Sequence, residues 1–170
     1  MTSVAPTLTT DRLQLTQPRA SDLPAFRAHR ASPRTDFVGG PFTPVETFGK
    51  FATMIGHWTL RGFGRYIMRL QDQPIGHVGP LALEDEAPVE MTWTLWDGAY
   101  EGKGFATEAA RAVTRHLIGD LGWRELAVHI MPGNDASIRV AERLGATPSD
   151  RPAPEHYPGA LCYSLTQTPA

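Results

Sequence analysis

The chain has 170 residues, 41% of them apolar and 20% charged, which fits one folded domain with a real core and excludes a disordered chain. A net charge of −2, from 16 basic and 18 acidic residues, gives no electrostatic basis for binding nucleic acid or an anionic membrane. The lone Cys162 excludes an internal disulfide, and no run approaches the ~20 apolar residues of a membrane span. The opening MTSVAPTLTTDRLQL has no basic or apolar leader region, so a cytoplasmic location is expected.

In chain order, Arg12–Gln17 alternates as a short strand, and Ser21–Ser32 predicts a helix capped by Ser21 or Asp22, with Leu23 and Phe26 inward. Ser32–Pro44 is rich in Pro and Gly and predicts a loop. From Val45 to Leu60, Phe48, Phe51, Ala52, Ile55 and Trp58–Thr59 recur at helical spacing. Arg65–Leu70, a turn at QDQP and Ile75–Leu83 predict a hairpin. Val89–Leu95 alternates most clearly: Val89, Met91, Trp93 and Leu95 face one way, and Glu90, Thr92 and Thr94 the other. Ala106, Ala109, Ala110, Val113, Leu117 and Leu121 form a helical stripe that Gly122 can close. Glu125–Ile130 is a further strand. Asn134 or Asp135 then caps a helix carrying Ile138, Val140, Ala141 and Leu144, ended by Gly145, and Ala160–Gln167 is the last strand. The order β-α-α-β-β-β-α-β-α-β predicts an α/β (α+β) fold around a single mixed sheet, with residues 1–170 as one domain.

The stretch YEGKGFATEAA, residues 100–110, places Gly102 and Gly104 on either side of Lys103 where a helix begins. A helix N-terminus carries unpaired N–H groups and a partial positive charge, which together suit a phosphate. Glycines let the backbone approach such a ligand closely. The spacing fits neither an ATP-type P-loop nor the dinucleotide fingerprint, whose third glycine would fall at Thr107. By spacing alone, a plain tight turn is an equal reading. His29, His57, His77, His116, His129 and His156 have no ligand-like spacing, so no metal is expected. No Gly-x-Ser-x-Gly elbow is present, and Cys162 reads as a small core residue. The acids of Ala82–Pro88 offer either solvation or attraction for a cationic acceptor, and Trp93 or Trp96 could shape a pocket.

Glu101-Gly102-Lys103-Gly104-Phe105-Ala106 resembles motif A, Gln/Arg-x-x-Gly-x-Gly/Ala, of the GNAT superfamily of acetyl-CoA-dependent N-acetyltransferases. The continuation ATEAARAV, the opening TDRLQLTQPRASDLPAF, the strand VEMTWTL and the segment NDASIRVAERLGA resemble its RimJ/RimL-like branch in the same order. The resemblance implies a GNAT fold whose fourth and fifth predicted strands, Val89–Leu95 and Glu125–Ile130, splay apart. It implies acetyl-CoA as co-substrate. The pantetheine arm would pair with backbone around Thr94 and Leu95, and the pyrophosphate would rest on amides of Glu101, Gly102, Lys103, Gly104, Phe105, Ala106 and Thr107. Asn134 would contact the coenzyme, and Ser137 would lie near its sulfur. The implied activity is direct acetyl transfer to an amine on a peptide N-terminus or small molecule, by a monomer or homodimer. The alternative is a non-catalytic acyl-CoA-binding module.

This sequence departs from the pattern in several places. Glu101 stands where Gln or Arg is usual. Ala141 stands where many members carry a tyrosine acid, and Ala146 replaces the usual Phe. The leaving-group role then falls to Ser137 or water. Glu90, on the face opposite Met91, Trp93 and Leu95, is the candidate general base, with His77 as the other candidate.

Overall fold

The computed structural model describes residues 3–167. The expected domain, 1–170, runs past these limits, and positions 1, 2 and 168–170 lie outside the described residues. The strands are β1 (Thr7–Thr9), β2 (Gln14–Thr16), β3 (Tyr66–Leu70), β4 (Gln73–Leu81), β5 (Glu90–Leu95), β6 (Glu125–Ile130), β7 (Thr147–Pro148) and β8 (Leu161–Thr166). The helices are α1 (Leu23–Arg30), α2 (Pro44–Arg61), α3 (Phe105–Thr114) and α4 (Asp135–Arg143). They build one mixed eight-stranded sheet in the order β1-β2-β3-β4-β5-β6-β8-β7. This is the single mixed sheet flanked by helices, of the α/β class, that the element order predicts.

Two strands exceed the expected order. β1 and β7 are 3 and 2 residues long and pair only at the sheet margins, too short for an alternating pattern to show. Ser32–Pro44, expected to be a loop, contains a 3-10 segment at Pro33–Val38. α3 continues as a π-helical turn over Arg115–Asp120 before Gly122.

The start of α2 is fixed by its sequence. Thr43 Oγ1 accepts the Glu46 N–H at 3.3 Å, Glu46 Oε2 accepts the Thr43 N–H at 2.8 Å, and Pro44 supplies a preset first turn. Its buried face is Thr47, Phe51, Met54, His57 and Trp58. Phe48 and Ile55, expected on the apolar stripe, are 59% and 39% exposed. The helix is rotated by about one residue from that reading, because Phe51 packs on Phe26 of α1 at 5.2 Å and draws Met54 inward with it.

The main core lies between the sheet and α3/α4, where Leu15, Tyr66, Met68, Val78, Met91 and Val128 meet Ala109, Ala110, Val113 and Val140. A smaller core on the other face joins Phe26, Phe51, Met54, Ile67 and Trp96 under α1 and α2. A buried ion pair ties this second layer down. Arg69 donates to both carboxylate oxygens of Asp22, at 2.8 and 2.9 Å, and to Thr16 Oγ1 at 2.8 Å. Asp22 precedes α1 as expected of a cap, but its carboxylate serves Arg69 and the Arg19 N–H rather than the α1 backbone.

Candidate functional site

β5 and β6 run parallel and share a single register pair, Glu90 with Ala127, closed by the Ala127 N–H donating to Val89 O at 2.9 Å. Beyond it the strands part, leaving a wedge that widens toward their C-terminal ends. α3 follows β5 and α4 follows β6, so both helix N-termini stand at the wide end. A parallel sheet places its ligand crevice at that kind of location.

The register shows which backbone groups line the wedge. The Trp96 N–H donates to Ile75 O at 2.9 Å, and Leu95 lies opposite Gly76. Even-numbered residues of β5 therefore bond β4, and Trp93 and Leu95 turn their N–H and C=O groups into the wedge. This corrects one expectation: the Thr94 backbone is committed to His77 across β4, and the open edge belongs to Trp93 and Leu95. The Leu95 carbonyl accepts from Arg34 Nη2 at 3.3 Å.

The glycine stretch forms a loop around a free helix start. Gly102 and Gly104 have φ of 69° and 80°, a left-handed conformation that favours glycine. Gly104 is the N-cap of α3 and has no side chain to satisfy the N–H groups of Phe105, Ala106 and Thr107. A Cβ at Gly102 would meet nothing within 4 Å, and one at Gly104 only Arg12 Nη2 at 3.5 Å. The cradle is thus open outward. Phe105 and Thr107 bury their side chains, so what they offer a ligand is backbone. Lys103 is exposed at the rim. Glu101, the residue that departs from the motif, is paired by Arg34 at 2.6 Å, which offsets the carboxylate beside the loop. Sequence reading missed Arg34, because it comes from the distant 3-10 segment.

Arg12 stacks on the Phe105 ring at 4.4 Å and pairs with Glu108 at 2.6 Å. Burial pushes the Glu108 carboxyl up, but hydrogen bonds from Thr10 and Arg12 together hold it below its ordinary value. A groove of about 840 Å³ runs from Gly104 along α3, past Arg111, Arg115 and Arg143.

At α4, Asn134 Oδ1 accepts the Ser137 N–H at 3.3 Å and caps the helix. Ser137 is half-buried on the first turn, beside the wide end of the wedge. Ala141 is fully buried, so the position of the usual tyrosine is core here.

Glu90 lies at the narrow end, its side chain 12% exposed, with Oε2 at 3.5 Å from His129 Nδ1 and 3.6 Å from His156 Nε2. No arginine or lysine pairs with it among the described residues. Burial and the Glu90 charge raise the Tyr157 hydroxyl and the Cys162 thiol above their ordinary values, with the Met131 backbone pulling Tyr157 partly back. The partners of Glu90 come from β6 and the loop before β8, a convergence with no short-range signal in the sequence.

His77 behaves differently from the expected second base. It is 2% exposed, and its Nδ1 accepts the Trp96 indole N–H at 2.9 Å. Burial, then Arg65, Arg30 and His29, hold it well below its ordinary value, so it is neutral. The proton sits on Nε2, and the lone pair is already in use. His77 is therefore a structural partner of Trp96 and not a free base. The acids of Ala82–Pro88 are exposed, and Asp85 is paired with Arg61. Among the described residues no group of His, Cys, Asp or Glu gathers as a metal set, and no helix is long and apolar enough to cross a membrane.

The site is thus a parting parallel strand pair with an open strand edge and two helix N-termini at its mouth. The chain belongs to the acetyltransferase (GNAT) domain family, whose model matches residues 12–147. Among solved structures it is similar to the acetyltransferase from Agrobacterium tumefaciens, 34% identical, with a TM-score of 0.87 over 98% of each chain. It shares its fold with MccE, a microcin self immunity acetyltransferase in complex with acetyl-CoA and AMP (16% identical, 96% of this chain and 98% of that one, TM-score 0.75). It also shares its fold with RimL, a ribosomal-protein alpha-N-acetyltransferase in complex with coenzyme A (18% identical, 94% and 97%, TM-score 0.76). The uncharacterized protein YkkB of Bacillus subtilis is 31% identical over 91 residues, so the chain spans about half the length of that curated relative (50% of this chain, 52% of YkkB).

Proposed function

We propose that the protein is an N-acetyltransferase of the RimJ/RimL-like branch, a single domain that moves the acetyl group of acetyl-CoA to an amine on a peptide N-terminus or small molecule. The observation that carries this reading is the open β5 edge at Trp93 and Leu95, aligned with the uncapped start of α3. The extended pantetheine arm fits the edge as an added strand, and the pyrophosphate fits the amides from Gly102 to Thr107. Asn134 and Ser137 stand across the mouth.

The bound thioester supplies the activated acetyl group. The residues of the chain hold amine and thioester together, which removes part of the barrier as entropy. A Trp93 or Leu95 N–H donates to the carbonyl oxygen as charge develops on it. Glu90 takes the proton from the ammonium. The 3.5 and 3.6 Å separations from its histidines exceed the ~2.8 Å of a strong charge-assisted bond, so its oxygens are free to accept. Glu90 lies three strand residues from Trp93, ~10 Å, so one or two waters relay the proton. Ser137 or a water protonates the departing thiolate. A site with an unclaimed carboxylate supports catalysis over passive acyl-CoA binding.

The test is thiol release from acetyl-CoA, with EDTA present, against a panel of amines and N-terminal peptides. Release that depends on an amine is expected. Acetyl-CoA binding with no turnover of any amine would leave the binding-module reading instead.

A further inference from the structure

We propose that Arg30, Lys50 and Arg65 form an anion-binding subsite on the acceptor side of the sheet, so that the amine acceptor carries a carboxylate or phosphate. The inference rests on the acetyl-transfer reading for the word acceptor, but the subsite stands on its own geometry.

The three cations come from separate elements on the α1/α2 face. Arg30 ends α1, is 7% exposed, and has an Nε with no hydrogen-bond partner. Its guanidinium lies 4.8 Å from the Phe26 ring and 5.5 Å from the Phe42 ring. Lys50 of α2 places Nζ over the same Phe42 ring at 4.3 Å. Arg65 precedes β3 and lies beside Gly79, which in turn pairs with Thr92 of β5. Arg65 and Ile67 share one strand face, so Arg65 points to the side that also carries Glu90, Thr92 and Trp96. Gly79 has no side chain to block its path. A Cβ there would come 2.9 Å from Gly64 O and 3.1 Å from Arg65 Cα, so the lane is built into the backbone.

No acid answers these charges. Among the described residues no carboxylate lies within 4.0 Å of the charged nitrogens of Arg30, Lys50 or Arg65. The countercharges are Glu90, farther off and set between two histidines, and Glu46, exposed and bound to the Thr43 cap. Of the other titratable neighbours, His29 is held below its ordinary value by burial, then Arg30 and Arg34, and His77 by burial, then Arg65, Arg30 and His29, while burial lowers His57 with the Phe63 and Ala82 backbone pulling it partly back against Arg65 and Arg61. Burial, then Arg65, lowers Arg30 to about 10, and burial likewise lowers Arg65 to about 10 against the pull of Glu90. Burial, then Arg30, lowers Lys50. Arg30 and Lys50 share the Phe42 ring, and Arg65 rises beside Gly79 on the same face of the sheet. Partly desolvated like charges are costly unless a ligand brings the opposite sign. An acceptor with an anionic group supplies it, while Glu90 receives the ammonium end. Diamines and polyamines carry the wrong charge at the far end.

The experiment compares matched acceptors by acetyl-CoA-dependent thiol release: β-alanine against its amide, O-phosphoethanolamine against ethanolamine, and putrescine. At least a tenfold higher kcat/KM is expected for the anionic member of each pair, and the better pair tells carboxylate from phosphate. Lys50→Met and Arg65→Met should erase that preference through KM of the anionic acceptor. Equal use of neutral amines, preference for putrescine, or an unaltered ratio in both variants overturns the proposal. In parallel, inorganic phosphate is titrated against the melting temperature with saturating coenzyme A. A rise in the wild type that both variants lose supports the subsite even if no amine turns over, an outcome that would sink the acetyl-transfer reading alone. A rise of equal size in all three proteins overturns the subsite.

Discussion

Replacing Gly104 with alanine separates the strain in the loop from its service to a ligand. Its φ of 80° lies in the left-handed region, where an L residue costs roughly 1–2 kcal/mol. The added Cβ meets only Arg12 Nη2 at 3.5 Å, an ordinary contact, so no clash adds to that figure. For a chain of this size each kcal/mol moves Tm by about 2–4 °C, which predicts a fall of ~2–8 °C. Ligand binding should suffer separately, because the methyl projects into the open cradle. Losing one charge-assisted hydrogen bond, about 1.5–3 kcal/mol, corresponds to roughly 10- to 150-fold in affinity. Gly122→Ala is the control: its φ is 72°, its Cβ would meet nothing within 4 Å, and it lies past the far end of α3. Both variants should lose similar stability, and only Gly104→Ala should lose coenzyme A affinity by titration calorimetry. Affinity within twofold of wild type for Gly104→Ala would refute the reasoning and return the stretch to an ordinary helix-opening turn.

Glu90→Gln should lower kcat at least tenfold with coenzyme A affinity unchanged, read by steady-state kinetics beside calorimetry. Asp22→Asn strips the charge that answers buried Arg69 and should cost about 3–5 kcal/mol, seen in denaturant melts; the double change to Asp22→Leu and Arg69→Met should recover much of it. His29, held near 4 by burial and by Arg30 and Arg34 against an ordinary 6.5, takes up its proton more readily when unfolded. Its contribution is therefore complete above pH ~6.5 and is lost as the pH falls toward 4, by about 3 kcal/mol at most. Melts from pH 7 to 4 should show that decline, and His29→Gln should flatten it in part.

Local chemistry was readable in the sequence, and convergence was not. Thr43 and Glu46 explain where α2 begins, Asn134 caps α4 as read, and the β5 alternation put Glu90 opposite Met91 correctly. The phase of α2 was misread because Phe48–Ile55 and Thr47–Met54 are both acceptable stripes, and only the contact of Phe51 with Phe26 chooses between them. Thr94 was misassigned because alternation assigns side chains, while backbone direction depends on which neighbour the strand pairs with. His77 looked available because a sequence does not show that Trp96 donates to it. Arg34 reaching Glu101, and His129 and His156 reaching Glu90, join residues far apart along the chain. No periodicity encodes such meetings.

An unpaired strand edge usually invites aggregation, since any extended chain can zip onto it. The β5 edge avoids that hazard by its shape. It lies inside a wedge closed at Glu90 and Ala127, with β6 as the opposite wall. A neighbouring molecule's sheet is too broad to enter, whereas a single thin chain can. Arg34 covers the far end by bonding the Leu95 carbonyl. The protein can thus keep a row of unpaired backbone groups open within the wedge, admitting guests by cross-section before any chemistry selects among them.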